Sequence, residues 1–114
     1  MPRVKPLGVS MVKLLSRPDD FDGQFVQVCG FYRHVFEGTA LYLHRDDCEF
    51  GLTKNALWVN AASPLESESR FDMKYVLVDA NFAAKTHGHF GLFSGTLYDV
   101  QRMVELPPHG LSDR

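Results

Sequence analysis

Ser94, His89 and Asp79 are the residue types of a nucleophilic triad, and His87 with His89 is a pair of imidazoles spaced by one residue. A triad is defined by geometry, and Ser94 sits in LFSGT without the strand–turn–helix setting of a nucleophile elbow. A small residue in a bent strand accounts for that serine. On a strand, His87 and His89 would point the same way, as two ligands of a metal would. A third ligand would have to come from His44, Asp46, Asp47 or Cys48, and a wet turn explains both histidines without a metal. Cys29, between Val28 and Gly30, reads as a small core residue. Cys48 is flanked by Asp47 and Glu49, whose charges disfavour a thiolate. No catalytic, metal or cofactor site is expected from these groups.

Binding chemistry has more candidates. Phe36, at a hairpin tip beside Glu37 and Gly38, is hard to bury locally and marks a partner surface. Glu37, Asp46, Asp47 and Glu49 are acids able to meet a basic partner, although Asp46 or Asp47 also suits the cap of a single helical turn. A second set, Tyr32, Arg33, Tyr42, Arg45 and Trp58, combines rings with cations, as surfaces that stack single-stranded bases do. In a small domain most rings are needed for the core.

These residues need a frame. Leu7, Met11, Leu14 and Leu15 form one stripe of a short helix ending at Ser16, with Ser10 as its cap and Pro18 as its stop. Asp19 to Gly23 is a turn cluster, and strands are expected over 24–35, 40–44 and 56–60. Gly30 marks a bend within the first of them. The polar stretch 61–72 is a loop. In 74–82, Val76, Val78, Ala80 and Phe82 share one face, and Tyr75, Leu77, Asp79 and Asn81 the other. A last long strand is expected from Phe90 onward, bent at Gly91 or Gly95. The result is a mainly β chain, a small five-stranded OB-like barrel with a short N-terminal helix, occupying 1–106 before a tail at 107–114. Because the helix precedes the strands instead of linking the third and fourth, another small barrel or a sandwich stays open.

The 114 residues suffice for one core without staples. A net charge of −2 and a pI near 6.2 argue against a general nucleic-acid binder. The two cysteines suit a reducing cytoplasm, and no apolar run is long enough to span a bilayer.

The blocks FDGQFVQVCGF (21–31), ALYLHRDD (40–47), KNALWVN (54–60), KYVLVDANF (74–82) and GHFGLFSGTLYDVQRM (88–103) resemble a family of small, largely uncharacterised bacterial proteins. That family's look has glycine where this chain has Ala80 and glutamate where it has Asp79. The resemblance implies the OB-like fold and supplies no activity. In size and type the chain is also similar to the immunity proteins kept beside secreted bacterial toxins, an analogy of class and not of motif. The expected function is therefore non-enzymatic binding of a protein partner, an immunity-type inhibitor of a toxin, with single-stranded nucleic-acid binding as the alternative.

Overall fold

The computed structural model describes residues 5–35, 38–60 and 68–108. Its strands are β1 (Leu7–Gly8), β2 (Phe25–Arg33), β3 (Ala40–Tyr42), β4 (Ala56–Val59), β5 (Lys74–Ala83) and β6 (Thr96–Glu105). Two short helices, α1 (Met11–Ser16) and α2 (Arg45–Glu49), accompany them. The sheet runs β1-β2-β3-β4-β6-β5 and closes on itself because β2 also pairs with β5. Five strands thus form a closed barrel in which β4 and β6 lie parallel and the other barrel pairs antiparallel. This is the small OB-like barrel expected from the sequence.

The strand periodicity explains the core. Val76, Val78, Ala80 and Phe82 of β5 are all fully buried, as the alternation requires. Across the β2–β5 pairing Gly30, Val28 and Val26 face Val76, Val78 and Ala80, and the fully buried Tyr32 of the same face pairs with Lys74. Leu41, Leu57, Val59 and Leu97 complete the interior from β3, β4 and β6. Gly30 is required by close approach: a Cβ there would lie 2.7 Å from Leu41 Cγ and 2.8 Å from the Tyr42 carbonyl oxygen. A smaller cluster of Phe31, Ala40, Tyr42, Ala56 and Phe93 forms separately from the main core, with Cys48 and Trp58 packed against it.

The helix α1 begins as its sequence dictates, with Ser10 Oγ accepting from the Lys13 amide at 3.1 Å. It sends Met11 and Leu14 into the main core. Leu7 departs from the expected stripe; it lies in β1, half exposed, where the chain pairs in parallel with Val26–Gln27 of β2.

The largest correction concerns the last strand. It begins at Thr96, not near Phe90, because the chain from Lys85 to Gly95 is a loop. Gly88, Phe90 and Gly91 have φ of 68°, 58° and 65°, which no extended strand accommodates. The bend expected at Gly91 or Gly95 falls instead within β6, at Asp99 with φ 50°, opposite a register shift between Asp79 and Asn81 of β5.

Candidate functional site

Trp58 is the outward residue of β4 from which the site is built. Its neighbour across the β3–β4 pairing is Ala40, whose small side chain leaves room beside the indole. The loop after β5 lies against that indole through Gly88, where a Cβ would come within 2.7 Å of Trp58 Cβ and Cγ. Only glycine meets both this approach and a φ of 68°. His89 stacks on Trp58 with centroids 6.1 Å apart and planes 22° from parallel. Phe93 buttresses the indole from the second cluster at 5.4 Å.

Backbone hydrogen bonds then fix the loop. The Gly91 amide donates to the Gly88 carbonyl, and the Phe93 amide donates to the His87 carbonyl at 3.0 Å. The His87 ring Nδ1 donates to the Phe93 carbonyl at 2.9 Å. Ser94 Oγ donates to the Lys54 carbonyl at 2.6 Å, and its amide donates to the Ala56 carbonyl. At the crest stands Phe90, 83% exposed and left-handed, with its ring 4.0 Å from that of His89. A left-handed non-glycine residue costs about 1–2 kcal/mol, and such strain collects where a side chain must be aimed.

A second segment joins this loop at one end of the barrel. Because β4 and β6 are parallel neighbours, the segments leading into them emerge together, and the Ser94–Lys54 hydrogen bond ties them. The segment before β4 exposes Phe50 (76%) and Leu52, and the loop before β6 exposes Phe90 and Leu92. No acidic residue occurs between Asp79 and Asp99, whereas Lys85, His87 and His89 lie in that span.

The residues singled out in the sequence are distributed differently. Phe36 and Glu37 lie outside the described residues. Asp47 is buried and internal, accepting from the His44 amide at 3.0 Å and from Asn55 Nδ2 at 2.9 Å, so it locks α2 and does not face a partner. Asp46 and Glu49 are exposed on α2, and Glu49 accepts from Arg45 Nε at 3.1 Å. In the ring-and-cation set, Tyr32 is sealed in the core and Tyr42 in the second cluster, so neither offers a face to a base. Arg33 is held by Asp72 at 2.7 and 2.8 Å. Burial alone would raise the Asp72 carboxyl, but the Arg33 guanidinium and the His34 amide outweigh it and hold it below its ordinary value. Trp58 supports the loop, with Gly88 and His89 against it.

The triad types are not brought to one chemistry. Asp79 accepts from Gln27 Nε2 at 3.0 Å, Ser94 donates to a carbonyl, and His89 stacks on Trp58. His87 and His89 lie in a loop and do different work, and among the described residues no three His, Cys, Asp or Glu side chains are grouped to hold a metal ion. Cys29 is exposed on the outer face of β2, contrary to its reading as a core residue. The Cys48 thiol is pushed up chiefly by burial against the second cluster, with Arg33 opposing and Asp72 and Glu49 adding less.

Phe90 stands out in the sequence as a ring beside glycines, but its apparent alternation with its neighbours points to a strand. The signal that distinguishes it is GHFG, a ring between two glycines both needed at positive φ. Phe50 and Leu52 had a weaker signal, apolar residues where strand alternation is lost.

No protein-family model and no curated protein matches this chain. Among solved structures it is similar to part of a putative aspartyl-tRNA synthetase from Leishmania major Friedlin, with a TM-score of 0.53 and 13% identity. The match covers 92% of this chain and 22% of that one, so the chain spans about a fifth of that protein's length. The likeness is one of fold. Among the described residues no helix is long and apolar enough to cross a membrane.

Proposed function

We propose that this chain is a non-enzymatic binding module that holds a protein partner through the aromatic loop before β6. The observation that carries this reading is Phe90, a phenyl ring 83% exposed on a backbone held left-handed by its own loop. Burying that ring in a partner's pocket is worth about 1.5–3 kcal/mol, the size of an interface anchor. Phe50, Leu52 and Leu92 are further exposed apolar side chains on the two segments tied by the Ser94–Lys54 hydrogen bond, and exposed apolar surface of this kind supports a protein interface. Of the proposed acids among the described residues, Asp46 and Glu49 remain exposed while Asp47 is buried, and exposed acids of this kind set approach and not grip. In its narrowest form the partner is a secreted bacterial toxin and the chain is its immunity-type inhibitor.

A second reading, single-stranded nucleic-acid binding, is favoured by the OB-like closure and by the acid-free stretch with Lys85, His87 and His89. One experiment separates the two. The tagged protein and its Phe90→Ala variant are incubated with nuclease-treated and untreated bacterial lysate, and retained protein and nucleic acid are analysed. Protein held through nuclease treatment and lost with the alanine variant is the expected result. Nucleic acid held alone, and released steeply by salt, would overturn the protein reading in favour of the second.

A further inference from the structure

A cleft of about 450 Å3 lies on the outer surface between the start of β5 and the end of β6, sharing no residue with the aromatic loop. Its volume is in the range of pockets that hold small ligands, roughly 300–1,000 Å3. Tyr75 gives it an aromatic wall, braced edge-on by Phe31 with centroids 5.1 Å apart. The Tyr75 hydroxyl accepts from the Arg45 backbone amide at 3.0 Å, which fixes the ring and ties it to α2. Met73, Leu106, Pro107 and Pro108 supply the remaining apolar lining. Met73 is half exposed and left-handed, with φ 63°, a second place where backbone strain delivers an apolar side chain to the surface.

The polar groups are few and of defined geometry. Arg45 is engaged through Nε by Glu49 at 3.1 Å, and its Nη atoms have no protein partner among the described residues. A guanidinium held in this way presents a planar fork suited to a carboxylate or phosphate. Lys74 contributes a second cation, paired with Glu105 at 3.5 Å, and an exposed pair of this kind is worth little and yields readily to another anion.

We propose that this cleft is a ligand site for a planar aromatic ring carrying one anionic group, the ring packing on Tyr75 and the anion on the free fork of Arg45. The anion is a carboxylate or a phosphate, and the two are separated by probe. The cleft shares no residue with the aromatic loop, so loss of its ligand and loss of Phe90-dependent capture are read separately, although Arg45 is bonded to Glu49, an acid of the protein-partner reading.

The test is a titration of the full chain, labelled at the methionine methyls and backbone amides, with indole-3-acetate and with adenosine 5′-monophosphate. Expected are saturable shifts centred on Met73 and Tyr75 with at least one of the two, and indole-3-acetate compared with indol-3-yl phosphate, which shares its ring, identifies which anion is accepted. The neutral analogues indole-3-ethanol and adenosine should bind about tenfold more weakly. Arg45→Gln, at an exposed side chain, should weaken the anionic ligand by about tenfold and leave its neutral analogue unchanged, while Phe90→Ala alters neither. Absence of saturable shifts with both probes, or unchanged affinity in Arg45→Gln with a native amide spectrum, would overturn the site.

Discussion

At the scale of single residues, two positions carry opposite duties in one loop. Phe90 is exposed and touches little beyond His89, so Phe90→Ala should leave stability within about 0.5 kcal/mol while abolishing partner capture. Gly88 is the reverse. An alanine there meets Trp58 at 2.7 Å and must adopt φ 68°, so Gly88→Ala should cost about 1–3 kcal/mol and lose capture as well. Urea melts of both variants beside the capture assay check the pair; equal destabilisation would mean that Phe90 is a structural and not an anchoring residue. The Arg33–Asp72 pair makes a separate prediction. The Asp72 carboxyl is held below its ordinary value in the folded chain, so its contribution is present above the unfolded aspartate value of about 3.9 and is lost as pH falls through the folded value. Asp72→Asn should therefore cost about 1 kcal/mol at pH 7, a modest figure because both side chains remain about a third exposed. Denaturation at pH 7 and at successively lower pH should show the difference from the parent narrowing as the medium is acidified.

At the scale of elements, α1 is six residues long and has no independent stability, so its place depends on its cap and on the core side chains Met11 and Leu14. Ser10→Ala should cost about 1 kcal/mol through the lost Lys13 amide bond. Leu14→Ala, at a fully buried position, should cost about 2–5 kcal/mol, and Val12→Lys, on the exposed face, almost nothing. Denaturant midpoints order the three. Both determinants were legible in the sequence because they are local: a capping serine and apolar residues at helical spacing. The faces of β5 were legible for the same reason, from strict alternation. The start of β6 was not. Phe90 to Val100 reads as alternating, yet the positive φ of Gly88, Phe90 and Gly91 turns the chain back onto Trp58. That contact is tertiary, and nothing in the local spacing reports that an indole on β4 will meet a glycine thirty residues later. Asp47 was similarly half legible: its position announces a helix start, but its bond to Asn55, which removes it from any partner surface, does not show in the spacing.

At the scale of the whole molecule, the barrel has two cores of unequal importance. The main one gathers side chains from α1 and every long strand, and the smaller one joins Phe31, Ala40, Tyr42 and Ala56 to Phe93 of the loop. Stability is distributed accordingly, since local opening needs only the contacts of one cluster to be released. Phe93→Ala removes the loop's anchor in the smaller cluster and the brace behind Trp58. It should lower hydrogen-exchange protection of the Phe93 and Ser94 amides, which bond to His87 and Ala56, and leave the β2–β5 pairing near its parent protection. Leu57→Ala, fully buried in the main core, should instead lower all protection together by about 2–5 kcal/mol. The contrast matters for binding because a loop that opens without unfolding the barrel can adjust to a partner while the scaffold holds its base fixed. If Phe93→Ala depressed β2–β5 protection as much as Leu57→Ala, the two clusters would be one cooperative unit, and Phe90 would stand on a platform as rigid as the barrel itself.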